Sequence, residues 1–273
     1  MTKLSAIKAP AVAGVVREKS QRAAIAAVKN CRLSGADMLD LHLSCLDSME
    51  EENIKAIVSA TSLPILALNY NKTYEWEDLN LSEEDRIESL LRAVRAGAAG
   101  IDMQGYSFHA PSALGFYGED KYSFTKGNPR EIVTDEAIIA KQCELIDTVH
   151  SMGAEVLLSC HPGVPMTSDQ IVELALFLEK RRPDIIKIVT PAQNEEHLEE
   201  AIRTIIALKR EIKTPISYHA SGEAGMLSRI INPLLGAQIA FCVNGYDAGS
   251  TMQQIDLAST AEIVDKVRKI TRT

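Results

Sequence analysis

Residues 82–105 read SEEDRIESLLRAVRAGAAGIDMQG and join a helix pattern directly to a strand pattern. The first part, SEEDRIESLLRAVRAG, begins with serine and carboxylates and ends in glycine, as a capped helix does. The second part, AAGIDMQG, is short and mostly apolar, which is typical of a strand that is covered on both faces. A helix that leads into such a strand is the building unit of a parallel sheet with crossover helices.

The same alternation runs along the whole chain. Helical patterns such as EEHLEEAIRTIIALKREI and TAEIVDKVRKI separate or follow the strand patterns. The predicted strands are PAVAGVVRE, ADMLDLHLS, LPILALNY, AAGIDMQG, AEVLLSCH, DIIKIVTP, TPISYHAS and AQIAFCVNG. Eight such units predict an α/β fold, a (β/α)8 TIM barrel, for which the chain length is ordinary. Since no linker or low-complexity segment interrupts the pattern, residues 1–273 are expected to form a single domain.

Composition narrows the function classes. The 273 residues are 46% hydrophobic and 24% charged and carry a net charge of −8, which disfavours nucleic acid or an anionic membrane as a partner. No apolar run approaches the roughly 18 residues of a membrane span, and the N-terminus lacks a signal-peptide layout. The five cysteines show no CxxC spacing. We therefore expect a cytoplasmic protein with reduced thiols, and base rates favour a homodimer.

A long connection at about 106–133 follows the fourth predicted strand and is rich in phenylalanine and tyrosine. Loops of this length in compact domains are often functional. Because loops that follow barrel strands lie on the catalytic face, a lid over the site is one interpretation. A subunit contact and local packing are the alternatives.

Alternation along each strand sends successive side chains to opposite faces of the sheet. For strand three, this assigns Leu66 and Leu68 to the helices and Asn69 to the lumen. The complete set of polar residues predicted to point inward is Asp40, His42, Asn69, Asp102, Gln104, Ser159, His161, Lys187, Ser217 and His219. Barrel lumens normally contain branched apolar side chains, so six strands with inward polar groups predict a functional site.

Lys187 lies in the middle of the apolar strand DIIKIVTP, where a lysine is rarely buried without a partner. Burial disfavours the charged form of the amine, and a neutral amine is a nucleophile towards carbonyl groups. Lys187 is therefore a candidate for Schiff-base formation, with His161 on the neighbouring strand as the proton carrier. The structural alternative is a buried ion pair of Lys187 with Asp40 or Asp102.

Five stretches resemble the type I 3-dehydroquinate dehydratase family. LLSCHPG followed by PDIIKIVTPAQ is similar to its Ser-x-His and Asp-Ile-x-Lys strands, and PISYHASGEAGMLSRI to its strand-seven segment. GSTMQQI resembles its closing Ser-x-x-x-Gln motif, and SGADMLDLHLSCLD has the pattern of its second strand. The resemblance covers nearly the whole chain.

The resemblance implies a hydro-lyase that dehydrates 3-dehydroquinate, or a related cyclic keto acid, to 3-dehydroshikimate in the shikimate pathway of aromatic amino acid biosynthesis, without metal or cofactor. Lys187 would form an imine with the substrate ketone. His161 would remove the adjacent proton and then protonate the leaving hydroxyl group. Arg229 would bind the substrate carboxylate, and Ser250 and Gln254 would lie over the ring.

The chain departs from the family pattern at several positions. Asp40-x-His42 replaces the Glu-x-Arg of strand two, and Asn69 or Tyr70 takes the place of an arginine at the end of strand three. Gln104 stands where strand four normally has glutamate, and His219 is an addition. We therefore expect Asp40, His42, Asn69 and His219 to contribute to substrate binding, with a recognition pattern that differs from that of the family.

Three other functions remain open from the residues. A class I aldolase would use the same lysine to cleave a carbon–carbon bond. A metal-dependent enzyme could use Asp40, His42, His161 and His219, although their spacing matches no metal motif. A non-catalytic relative would bind the ligand without turning it over.

Overall fold

The computed structural model describes residues 2–70, 81–109, 132–246 and 253–272. The predicted lid, at about 106–133, falls largely on residues 110–131 and so lies mostly outside the described residues. At its two ends, the fully buried Tyr106 packs against Val133.

The described residues form a parallel sheet that includes all eight predicted strands and one short further strand. The strands are β1 Ala11–Val16, β2 Met38–His42, β3 Ile65–Leu68, β4 Gly100–Gln104, β5 Glu155–Cys160, β6 Ile185–Pro191, β7 Ile216–Ser221, β8 Ile239–Val243 and β9 Ile255–Asp256. Each observed strand is shorter than its predicted pattern because the turn residues at its ends leave the sheet.

Helices alternate with these strands in the described part of the chain. They are α1 Gln21–Leu33, α2 Glu51–Val58, α3 Glu83–Arg95, α4 Glu136–Ser151, α5 Ser168–Glu179, α6 Glu195–Glu211, α7 Ser228–Leu235 and α8 Leu257–Thr271. Within the described ranges, every helix is too short or too polar to span a bilayer.

Side-chain caps fix where several helices begin. The hydroxyl of Ser82 accepts a hydrogen bond from Asp85 N at the start of α3, as the sequence pattern predicts. Asp135 caps α4 through Ala137 N and Ile138 N. These acceptors satisfy backbone donors that have no partner within the helix.

The sheet curls until its two ends meet. The strand order is β7-β6-β5-β4-β3-β2-β1-β8-β9, and every pair of neighbouring strands bonded in this order is parallel. Between β7 and β8, Gln238 N donates to Ile216 O at 2.8 Å, and Ser217 Oγ donates to Ile239 O at 3.0 Å. The predicted (β/α)8 barrel is confirmed.

The inward and outward faces of the strands follow the prediction except in β3. Leu39, Leu41, Ile186 and Ile188 pack outward in the cluster that contacts the helices. Leu66, however, belongs to the apolar cluster inside the barrel. The prediction for strand three was therefore wrong by one residue: Leu66 points inward, and the alternate positions Ile65 and Ala67 pack outward.

Residues before β1 close the N-terminal end of the barrel. Leu4 is fully buried among Ala11, Leu157 and the other apolar residues of the lumen. The Ser5 backbone N–H and hydroxyl group donate to the two carboxylate oxygens of Glu155 at 2.9 and 2.6 Å. The lower lumen is thus packed and apolar, and the polar residues lie towards the C-terminal ends of the strands.

Candidate active site

Lys187 lies in the middle of β6, between Ser159 on β5 and Ser217 on β7 in the register of the sheet. Its side chain is 9% exposed. Its Nζ lies 4.7 Å from the centroid of the Phe241 ring, at the top of the apolar part of the lumen. The predicted inward position of this lysine is confirmed.

Asp102 on β4 is the carboxylate partner of Lys187. Its Oδ2 lies 3.2 Å from Nζ, and its Oδ1 accepts a hydrogen bond from Ser159 Oγ at 2.5 Å. Asp102 is fully buried. The ion pair considered from the sequence is therefore present with Asp102, and it lies within the polar part of the lumen.

Tyr70 completes the surroundings of the amine. Its hydroxyl group donates to Asp102 Oδ2 at 2.8 Å and accepts from Lys187 Nζ at 3.1 Å. Its ring meets the His161 ring edge-on, with centroids 5.5 Å apart. Burial first, and then the negative charge of Asp102, raise the pKa of Tyr70 well above its ordinary value of 10.

Tyr70 is the site residue that alternation failed to assign. All four residues of β3, Ile-Leu-Ala-Leu, are apolar, so the pattern contains no information about which face is inward. The sequence offered one indication of a role for Tyr70: either Asn69 or Tyr70 stands at the position where the family has an arginine.

Asn69 points towards the helices, so its predicted inward position is wrong. Its side-chain amide donates to Ser89 Oγ on α3 at 2.9 Å, and its backbone carbonyl oxygen accepts from Arg86 at 3.0 Å. Arg86 is itself fully buried and pairs with Glu83 at 2.7 Å. Asn69 thus fixes the end of β3, next to the residue that does face the amine.

His161 directly follows β5, and His219 lies within β7. Each of the two residues is 7% exposed. Burial first, and then the positive charges of Lys187 and Arg229, hold the pKa of His161 well below its ordinary 6.5. The pKa of His219 is lowered by burial and then by Arg229, Lys187 and His161. Both rings are therefore neutral at neutral pH and able to accept a proton.

Arg229 is positioned by the turn between β7 and α7. Ser228 Oγ accepts from Ala220 N at 2.8 Å and donates to Gly225 O at 2.6 Å. A Cβ at Gly225 would lie 2.5 Å from Ser221 O, so the turn can close this tightly only with glycine. Arg229, the second residue of α7, is held there within electrostatic range of both histidines.

Asp40 and His42 lie together at the end of β2. Their side chains approach to 3.4 Å between Asp40 Oδ2 and His42 Nε2, and are 4% and 18% exposed. Asp40 Oδ1 is buried and has no hydrogen-bond partner among the residues that the structure describes. Such an oxygen is costly unless a donor reaches it.

Gln254 immediately precedes β9, and its backbone oxygen accepts from the Tyr246 hydroxyl group at 2.8 Å. Its neighbour Gln253 accepts from Gly222 N at 2.9 Å, which ties this segment to the turn that carries Arg229. Ser250 lies outside the described residues.

The four residues of the metal alternative do not form a ligand group. Across the described ranges, no cluster of three or more His, Cys, Asp or Glu side chains is arranged to hold a metal ion. A separate depression lies between α5 and the segment at 132–134, is lined by Leu176 and Phe177 among others, and contains none of the predicted site residues.

Two sets of curated relatives are similar to the chain in sequence. A 3-dehydroquinate dehydratase of Desulfotalea psychrophila is 26% identical over 213 residues, which cover 77% of this chain and 78% of that protein. A 3-dehydroquinate dehydratase of Coxiella burnetii is 28% identical over 127 residues, which cover 45% of this chain and 52% of that protein.

Solved structures agree on the fold. The 3-dehydroquinate dehydratase of Geobacillus kaustophilus superposes with a TM-score of 0.75 at 13% identity, covering 98% of this chain and 96% of that one. The enzyme of Enterococcus faecalis gives 0.71 at 15% identity, with 99% of both chains covered. The family model described as type I 3-dehydroquinase matches residues 130–269, a little more than half of the 273 residues. The chain belongs to the type I 3-dehydroquinase family.

Proposed function

We propose that this protein is a hydro-lyase that dehydrates 3-dehydroquinate through an imine on Lys187. One observation carries the proposal: a shielded amine lies in the polar part of the lumen beside a neutral histidine, in a chain of this family. The roles of Lys187, His161 and Arg229 are part of the same proposal.

Lys187 acts as the nucleophile. Its attack on the substrate ketone forms an iminium group, which accepts the electrons released when the adjacent carbon loses a proton. His161 takes that proton, because its lowered pKa keeps the ring unprotonated at neutral pH. The resulting imidazolium then protonates the leaving hydroxyl group, which departs as water.

Arg229 binds the substrate carboxylate, since a guanidinium group offers two parallel donors to a carboxylate. The turn at Gly225 and the hydroxyl group of Ser228 hold Arg229 in place. In this proposal, Gln254 and Ser250 lie over the ring, and His219 contributes a second neutral imidazole to the pocket wall.

A second candidate is the dehydration of a related cyclic keto acid. Asp40 Oδ1 favours it, because a buried acceptor without a described partner calls for a donor from the ligand. His42 beside it stands where the family pattern has an arginine, so strand two offers an acceptor and a titratable ring instead of a permanent cation. Comparing kcat/KM for 3-dehydroquinate with analogues that lack single hydroxyl groups separates the two candidates.

The imine is tested by incubating the protein with 3-dehydroquinate and borohydride and locating the adduct by mass spectrometry. We expect one reduced adduct on Lys187, and none in Lys187→Ala. Lys29→Ala, at an exposed position on α1, is the matched control and should be labelled like the unaltered protein. No adduct with any cyclic keto acid would overturn the proposal, and products of carbon–carbon cleavage would assign a class I aldolase.

The biological setting belongs to the same proposal: a single-domain, cytoplasmic protein that forms a homodimer. The five free cysteines among the described residues are consistent with a reducing compartment. Light scattering during size-exclusion chromatography measures the oligomeric state directly.

A further inference from the structure

The surroundings of Lys187 contain acid–base groups that the proposed roles of Lys187 and His161 do not use. Two described side chains, Asp102 and Tyr70, hydrogen-bond the amine, and they also bond each other at 2.8 Å. The three groups thus form a closed triangle at the reacting nitrogen. Ser159 Oγ fixes the remaining carboxylate oxygen at 2.5 Å, so the carboxylate cannot rotate away from the triangle without breaking that bond.

Tyr70 is held as firmly as Asp102. Its ring packs edge-on against His161 at 5.5 Å between centroids and lies 5.7 Å from Lys187 Nζ. Its phenol stays protonated at neutral pH, because burial and the charge of Asp102 raise the pKa of Tyr70. The hydroxyl group is therefore a proton donor in contact with the nucleophile.

Imine formation poses a proton-transfer problem that these two groups can solve. A protonated amine must lose a proton before it attacks, and the ketone oxygen must gain two protons to depart as water. An iminium ion retains one of the three ammonium protons, so the other two have to travel from nitrogen to oxygen.

We propose that Asp102 and Tyr70 form a proton relay that carries these two protons from Lys187 to the ketone oxygen. The inference rests on the proposed imine chemistry and assigns Tyr70 and Asp102 as catalytic residues for the formation of the imine. His161 then remains available for the carbon-bound proton.

The steps balance. Asp102 takes a proton from the ammonium group, the amine attacks the carbonyl carbon, and the C–N bond forms as the C=O π electrons move to oxygen. Tyr70 protonates that oxygen and regains a proton from Asp102. The second nitrogen proton follows the same route, the C–O bond breaks, and water leaves. Both residues end in their starting protonation states, ready for the reverse sequence on hydrolysis.

Tyr70→Phe tests the relay, because it removes the hydroxyl group and keeps the ring on His161. The readout is the rate of borohydride-trappable adduct formation after rapid mixing, measured separately from the rate at which the substrate iminium loses water to become the product iminium, while both are still bound to Lys187. We expect adduct formation to slow by about 100-fold, the usual scale of acid–base assistance, while the later step changes by less than about threefold. A purely structural role for Tyr70 would not produce this split.

Tyr218→Phe is the matched control, since Tyr218 is a buried tyrosine whose hydroxyl group bonds Thr190 at 2.9 Å, away from the amine. It should leave the rate of adduct formation unchanged. Adduct formation by Tyr70→Phe at the rate of the unaltered protein would overturn the relay while leaving the imine proposal intact. The absence of any adduct in the unaltered protein would overturn both.

Asp102→Asn provides a second test, which also serves if Tyr70→Phe does not fold. If Asp102 only balances the charge of Lys187, its loss favours the neutral amine, and the adduct forms at least as fast as before. The relay predicts slower formation, by about 100-fold, because the proton acceptor is gone. The two explanations therefore predict different results: an unchanged or higher rate for charge balance, and a rate about 100-fold lower for the relay.

Discussion

Lys187 and Asp102 share a region where each side chain is at least nine-tenths shielded, and their charged atoms lie 3.2 Å apart. A buried pair of this kind contributes little net stability, because desolvation of both ions offsets their attraction. Removing one partner is different, since it strands the other charge. The pair therefore has a mutational signature that distinguishes it from ordinary core residues.

We predict strong non-additivity in a double-mutant cycle at this pair. Asp102→Leu and Lys187→Met should each lower the free energy of unfolding by about 3–5 kcal/mol, whereas the double variant should lose only about 0–2 kcal/mol. Guanidinium unfolding curves of the four proteins measure the coupling. If the losses in unfolding free energy of the two single variants sum to that of the double variant within about 0.5 kcal/mol, the two charges are independent.

The residue scale also shows where sequence patterns succeed. His161, Lys187 and His219 stand among outward apolar neighbours, so alternation assigns them correctly to the lumen. Tyr70 follows a strand whose two faces are both apolar, and no alternation separates those faces. The contact of Tyr70 with the amine depends on a one-residue register that only the packed structure fixes.

At the scale of elements, the turn from β7 into α7 couples backbone geometry to the site. Gly225 closes the turn against Ser221 and Ala220, with no room for a Cβ atom. The next helical turn begins with Ser228, which bonds back to β7, and Arg229 follows. Any widening of the turn therefore moves Arg229.

Gly225→Ala should weaken both stability and substrate binding. Overpacking of this kind costs about 1–3 kcal/mol, and we expect KM for a carboxylate substrate to rise by about tenfold with a smaller change in kcat. Gly245→Ala is the control, because a Cβ there meets no atom within 4 Å. If Gly225→Ala has the same KM as the control, the geometry of the turn does not influence binding of the carboxylate.

Helix starts were predictable because capping residues signal them locally, as Ser82 does for α3. The short strand β9 was not predicted, because two residues contain no periodicity. It forms only because β8 presents an edge beside it, with Cys242 opposite Ile255.

For the whole molecule, the alternation of helices and strands was sufficient to predict the barrel, since each parallel strand needs a covering helix. The closure of the N-terminal end of the barrel was not predictable, because no sequence pattern at Leu4 or Ser5 indicates a contact with Glu155. Contacts between residues far apart in the sequence appear only when the sheet has curled.

The two buried histidines should make the stability of the fold depend on pH. Their pKa values are lowered in the folded protein from an ordinary 6.5, so the unfolded chain binds more protons below that pH. Their contribution is therefore complete above about pH 6.5 and is lost as the pH falls towards the folded-state pKa values, at up to about 1.4 kcal/mol per pH unit for each histidine.

This dependence is measured by denaturant unfolding between pH 5 and pH 8. His219→Gln should have a shallower decline than the unaltered protein, because one of the two titrating rings is absent. Equal slopes for the two proteins would mean that His219 is not held in the neutral form by the fold.

Leu4 and the two hydrogen bonds from Ser5 to Glu155 close the N-terminal end of the barrel, which restricts the route by which molecules reach its interior. With that end packed, the proposed imine chemistry requires the ketone, the water released on condensation and the water needed for hydrolysis to pass through the C-terminal face of the barrel. In that proposed chemistry, a ring bound to Lys187 stands between the solvent and the imine, so the water for hydrolysis has to pass the bound ring.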